Sequence, residues 1–215
     1  MLKIVGDINF SDGFFDMGFG VGAAIRKGFD PFAKLYRKRT DFWIGNLECV
    51  CANTSDKQGV YAKQFLISPR DLMHVKHLDL YGAANNHVMQ HGGSAYREML
   101  WYLGDYGVQY VGSLERRSTT FFHEGKKVGI MAFSQRPDNF SQRPLYWCLP
   151  EYAEIQSELA KLADCDFRII FVHWGNEFIN YPYLDQKAFA HFMVDCGADL
   201  IVGMHPHVLQ GYEIY

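Results

Sequence analysis

The stretch DLIVGMHPHVLQ, residues 199–210, sets a short apolar run, Leu200-Ile201-Val202, directly before two histidines separated by a proline. Consecutive aliphatic residues bounded by turn formers read as a buried strand. Side chains two apart on an extended chain point the same way, and proline keeps the residue before it extended. His205 and His207 are therefore expected to converge just past the end of a strand. Taken alone, the pair is also what a polar turn would contain.

Working outward from that strand, short β-rich runs alternate with longer stretches of helical periodicity, the pattern of an α/β domain with mostly parallel strands. Strands are read at residues 2–5, 41–44, 80–83, 109–111, 128–133, 168–172 and 200–202. Apolar residues three and four apart predict helices over 71–78, 94–107, 151–163 and 185–197. The run TTFFHEGKKVGIMAF (119–133) holds two β-like segments joined by Glu124-Gly125-Lys126. That is a hairpin, so part of the structure is antiparallel and a second sheet is expected.

The 215 residues fit one domain spanning 1–215, with 48% hydrophobic residues to fill its core. Basic and acidic residues nearly balance, 21 against 24, and no basic run exceeds Arg37-Lys38-Arg39, which argues against nucleic acid as a partner. Five scattered cysteines, an odd number, read as reduced thiols. The opening MLKIVGDINF does not resemble a signal peptide, and no apolar run reaches the eighteen or so residues of a membrane helix. The expectation is a cytoplasmic chain with no membrane segment; its oligomeric state is not legible.

In open α/β sheets, ligands bind outside the carboxyl ends of the strands. After LKIVG comes Asp7, with Asn9 two further on; after DFWIG come Asn46 and Glu48; after LYGAA come Asn85, Asn86 and His87. After RIIFV comes His173, with Glu177 beyond it, and after LIVG come His205 and His207. Each of these could be a turn or capping residue by itself. Together, five strand ends deliver carboxylate, carboxamide and imidazole groups to one sheet edge, the ligand types that suit manganese, iron or zinc. No C-x-x-C pair marks a structural zinc site. The expected cofactor is a divalent metal, as two ions bridged by one carboxylate.

Gly6-Asp7, NLE (46–48), ANNH (84–87), HWGNEF (173–178), Asp195 to Asp199 and GMHPHVLQ (203–210) resemble, in order, the capsule synthesis protein CapA family, associated with bacterial poly-γ-glutamate capsules. That family is similar to the calcineurin-like metallophosphoesterases, so the resemblance implies a four-layer α/β/β/α sandwich with mixed sheets. Carried over by position, it implies metal-ligand roles for Asp7, Glu48 as the bridge, Asn86, His173, His205 and His207, with His87 binding or protonating the oxygen at the reacting phosphorus. The implied function is a metal-dependent phosphoesterase-like protein of capsule or poly-γ-glutamate biosynthesis, acting on a small molecule or an anionic polymer. Two alternatives stay open: a catalytically quiet accessory or binding protein, and a metal-dependent hydrolase of γ-glutamyl amide bonds.

The chain departs from the family pattern at Asn9, where a histidine is usual, and at Gln90, where an aspartate often follows. Relatives also continue past the H-x-H segment, so a C-terminally shortened sandwich is expected, with YEIY (212–215) in a last strand. Classical members carry an N-terminal membrane anchor not seen here. GFGVGAAIRKG (18–28) starts too far after the first strand for a dinucleotide fingerprint, and HGGSAY (91–96) lacks the G-x-S-x-G frame of a nucleophile elbow. His74, His77, His123 and His191 are read as solvated or packed.

Overall fold

Every apolar run read as a strand overlaps one in the computed structural model, which describes residues 1–12, 20–71, 76–139 and 143–215. In chain order the strands are β1 (Leu2–Ile8), β2 (Phe42–Leu47), β3 (Val50–Cys51), β4 (Leu66–Ile67), β5 (Leu80–Gly82), β6 (Gln109–Val111), β7 (Ser118–His123), β8 (Lys126–Ser134), β9 (Phe167–His173) and β10 (Leu200–Met204). The helices are α1 (Val21–Arg26), α2 (Gly92–Asp105), α3 (Tyr152–Ala160) and α4 (Leu184–Asp195). Half of the helix expected over 71–78, residues 72–75 with His74 among them, lies outside the described residues.

One sheet has the order β1-β2-β5-β6 and is parallel throughout; the second, β10-β9-β8-β7, is parallel except for the β7–β8 hairpin. A two-stranded parallel pair, β3-β4, stands apart. Period-two alternation sorts side chains into layers. Ile44, Leu80 and Val111 of the first sheet meet Ile130, Ala132, Ile169 and Phe171 of the second in one apolar cluster. Their alternate neighbours Trp43 and Tyr81 face out, toward Tyr96, Met99 and Leu103 of α2. Met131, Phe133, Ile170 and Val172 face out on the other side, toward Ile155 and Leu159 of α3 and Phe189 and Met193 of α4. The result is an α/β/β/α sandwich whose strands read as nearly continuous apolar runs because both faces are covered.

The last residues differ from expectation. Leu209 to Tyr215 form no strand, and β10 is an edge of its sheet. The tail lies along α4 instead: Glu213 pairs with Lys187 and His191 at 2.8 Å, and the Tyr215 ring stacks on His191 at 4.0 Å. Glu213 and Tyr215 find partners on α4, while Tyr212 and Ile214, before and between them, are exposed.

Candidate metal centre

The parallel strands of both sheets end on one edge, and the groups singled out from the sequence gather there. Asp7 pairs with Asn46 across the β1–β2 ladder, where a register shift between Ile4 and Asp7 re-aims the strand. His173 ends β9 beside Met204, the last residue of β10. The two sheets are stitched together at this point, since the His205 backbone N–H donates to Asp7 Oδ2 at 3.0 Å.

His205 and His207 are neighbours, with ring centroids 5.9 Å apart, but not by the extended path that the proline implied. Their φ values are +94° and +55°, left-handed for both. Such conformers cost about 1–3 kcal/mol each and persist where surrounding contacts fix them. Here the clamps are the Asp7 bond, Trp174 N–H to Met204 O at 3.0 Å, and Phe178 N–H to Pro206 O at 2.8 Å. Gly203 lets this happen: a Cβ there would sit 2.3 Å from Trp174 Nε1.

Two sets of donor atoms lie within 4.8 Å of one another: Asp7, Glu48 and His173, and Glu48, His205 and His207. Glu48 belongs to both. His173 Nε2 is 3.4 Å from Glu48 Oε1, while His207 Nδ1 is 3.4 Å from Asp7 Oδ2 and its Nε2 is 3.8 Å from Glu48 Oε2. Asn86 joins them, its Oδ1 2.8 Å from His173 Nε2. All six residues expected as ligands are therefore gathered in one place, and His87 stands beside Asn86.

These contacts are not ion pairs in the ordinary sense. Burial, followed by the charges of neighbouring His205, His87 and His207, holds the His173 imidazole well below its usual range. Burial lowers His205 to about 4, helped by Arg136, His207 and His87. Burial, backed by the charges of Asp7 and Glu177, pushes the Glu48 carboxyl up to about 9. Glu48, His173 and His205 are thus held uncharged by burial. Glu48 Oε1 and both ring nitrogens of His205 are buried without a hydrogen-bond partner among the described residues. Each such group costs about 1–3 kcal/mol unless something satisfies it. Cations at the two donor sets would satisfy Glu48 Oε1 and one ring nitrogen of His205, and the mixed oxygen–nitrogen set fits a divalent transition metal.

Around the donors lies a buried amide layer. Asn46 Nδ2 donates to Asp7 Oδ1 at 2.6 Å, and Asn85 Nδ2 donates to Asn46 Oδ1 at 3.1 Å and Leu47 O at 2.9 Å. Asn85 Oδ1 in turn accepts the His87 N–H at 3.1 Å. His87 is fixed on two further sides: Gln90 Oε1 is 2.8 Å from its Nδ1, and the Phe65 ring stacks on it at 3.9 Å. Gln90 thus occupies the place expected of a carboxylate partner. Asn9 plays no part in the cluster, because its Oδ1 accepts from Ser11 N and Oγ at 2.8 and 2.7 Å in a turn.

Two neighbours of the centre escaped the sequence reading. Phe65 carries no pattern, since it arrives through a left-handed residue (φ +55°) at the start of the two-residue strand β4. Arg136 did have a signal. It follows β8 as Asp7, His173 and His205 mark the ends of β1, β9 and β10, so the strand-end rule applied to VGIMAF leads to Ser134-Gln135-Arg136.

Comparison with known proteins agrees with this architecture. The family model described as bacterial capsule synthesis protein PGA_cap matches residues 1–215. The capsule biosynthesis protein CapA of Bacillus anthracis is 30% identical over 148 residues, 61% of this chain and 35% of that protein. The PGA biosynthesis protein CapA of Bacillus subtilis is 31% identical over 145 residues, 62% of this chain and 38% of that protein. The chain thus matches well under half the length of these relatives. Among solved structures, a phosphatase from Mycoplasma pneumoniae superposes with a TM-score of 0.54 at 16% identity, covering 95% of this chain and 63% of the other. The fold is of the metallophosphoesterase type.

Proposed function

Since the chain belongs to the bacterial capsule synthesis family PGA_cap, we propose that it is a metal-dependent hydrolase of phosphoester type serving capsule or poly-γ-glutamate production, with an anionic polymer or a small precursor of it as substrate. The observation that carries this reading is Glu48, a buried carboxylate shared by two donor sets and left with an unpartnered oxygen. Asp7, Glu48, Asn86, His173, His205 and His207 would hold the metal. When bound, a pair of divalent ions generates a hydroxide at neutral pH and stabilises the charge that develops in an in-line attack on phosphorus.

The chain's own contribution is positioning and proton handling. Asn46 and Asn85 lock Asp7 and the His87 backbone in place, so the donors are set before a ligand arrives. With Nδ1 committed to Gln90 and the ring clamped by Phe65, His87 turns Nε2 toward Asn86 Nδ2 at 3.4 Å, a long contact that a substrate oxygen would replace. Burial lowers the His87 pKa, so the neutral ring predominates in the free protein; a proton gained from solvent as an anionic substrate binds would be the one that Nε2 passes to the substrate oxygen.

A quiet binding protein is the second reading, favoured by the commitment of Asn9 to its own turn, which leaves the position where a histidine is usual in the family out of the cluster. Turnover decides between the two. Protein loaded with manganese, zinc or iron is expected to hold one to two ions per chain and to cleave an activated phosphodiester. Metal content without turnover supports the binding protein; a chain that takes up none of these metals overturns both readings.

A further inference from the structure

Beside His87 lies a cavity of about 240 Å³, lined by Asn86, His87, Arg136, Pro137, Asp138 and Asn139. Arg136 is its only arginine or lysine. Four of the other nine arginines end on carboxylates: Arg26 on Asp12, Arg37 on Asp79, Arg117 on Glu154 and Arg168 on Asp199, at 2.5–3.0 Å. Arg136 does not; among the described residues its guanidinium meets the neutral Oδ1 of Asn176 at 3.2 Å. Asn176 is itself oriented by the Tyr183 hydroxyl, which accepts from its Nδ2 at 3.0 Å. The guanidinium is therefore aimed without being neutralised.

The backbone that carries it is fixed to the metal edge. Buried Ser134 Oγ accepts the Arg136 N–H at 3.0 Å and donates to Arg136 O at 2.7 Å, and the next residue, Gln135, donates to His173 O at 2.8 Å. The field of Arg136 reaches the centre, where it contributes to lowering both His173 and His205. The one carboxylate in the lining, Asp138, acts on the buried Tyr146 and Cys148, whose hydroxyl and thiol it helps to raise.

We propose that Arg136 and the adjoining cavity form a subsite for a second oxyanion of the substrate, a phosphate or a carboxylate next to the group that reacts at the donor cluster. This deepens the hydrolase reading and rests on the same site. A guanidinium held by a neutral amide keeps donors and full charge for a planar or tetrahedral oxyanion, which it can meet with two hydrogen bonds.

The test is binding by calorimetry to the metal-loaded protein, comparing pyrophosphate with inorganic phosphate and glutarate with acetate. In each pair only the first member has an anion to spare for Arg136. At least one two-anion probe is expected to bind about tenfold tighter or better than its partner, and Arg136→Ala is expected to erase that advantage while leaving the one-anion probe unchanged. Arg136→Lys is expected to keep part of it. The pair that responds identifies the second anion as phosphate or carboxylate. No advantage for either two-anion probe, or one that survives in Arg136→Ala, overturns the subsite. Because no turnover is needed, a catalytically inert protein with an Arg136-dependent advantage removes the hydrolase reading and keeps the subsite; an active one without it does the reverse.

Discussion

Both ends of the sheets are lined with carboxylates, and the fold treats them in opposite ways. At the amino end, an aspartate stands one residue before each of four strands: Asp41 before β2, Asp79 before β5, Asp166 before β9 and Asp199 before β10. Each has a cation, Lys3, Arg37, Lys126 and Arg168 respectively, at 2.6–3.3 Å. Each also accepts a backbone N–H, those of Lys38, Trp43, Lys127 and Arg168, at 2.7–2.9 Å. At the carboxyl end, Asp7 and Glu48 face imidazoles held neutral by burial, and Glu48 keeps an oxygen with no partner. Paired charge marks the amino end, whereas at the carboxyl end burial holds Glu48 protonated with an oxygen left unpartnered, although the residue types overlap.

Mutation can break that contrast. The largest effect is expected from replacing both His205 and His207 by alanine, which removes the imidazoles of one donor set; metal affinity, followed by elemental analysis or calorimetry, should fall by more than about a hundredfold while the circular dichroism of the fold persists. Next, His87→Ala should lower turnover of an activated phosphodiester by about a hundred- to ten-thousandfold with metal content unchanged, because it removes proton transfer and not a ligand. Equal loss of metal would place His87 among the ligands instead.

The amide layer lies between the two regimes. Asn46→Ala leaves Asp7 Oδ1 without its 2.6 Å donor, and metal affinity should fall about ten- to a hundredfold. At the amino end the same kind of change should touch stability alone. Asp199→Ala deprives the Arg168 N–H and guanidinium of their acceptor, which should cost about 1–2 kcal/mol in urea unfolding with unaltered metal content.

The smallest expected effect is a pH dependence. The Lys3 ammonium and the Lys38 N–H hold Asp41 at about 2 against an ordinary 3.8, so its contribution is present above about pH 4 and is lost as pH falls toward 2. Thermal melting should therefore drop more steeply across that window in the parent chain than in Asp41→Asn. Identical slopes would mean that this pair does not anchor the amino end.

Which positions lie at the carboxyl end was readable from the chain, because apolar runs such as RIIFV and LIVG end abruptly in polar groups. The difference in satisfaction was not. Nothing near Asp199 announces that Arg168, 31 residues earlier, will pair with it, and nothing near Glu48 announces that Asp7 and Glu177 will raise its pKa. The H-x-H pair shows the same division. Its convergence was expected from strand logic, yet the left-handed backbone that delivers it depends on Asp7, Trp174 and Phe178, which only the tertiary structure places alongside.

By itself the sequence carried the α/β class, the hairpin that makes the second sheet mixed, and the polar groups at the strand ends, since hydrophobic period and strand ends are local properties of a chain; the four-layer sandwich and the roles of the six donors and His87 were implied by the family resemblance alone. Only the tertiary structure decided that Gln90 and Phe65 hold His87, that Asn9 turns away, that the tail runs along α4, and that Arg136 shares a cavity with Asn86 and His87 with no carboxylate partner among the described residues. These depend on which groups, distant in sequence, share a volume too small and dry for water to satisfy them, and no local pattern encodes that.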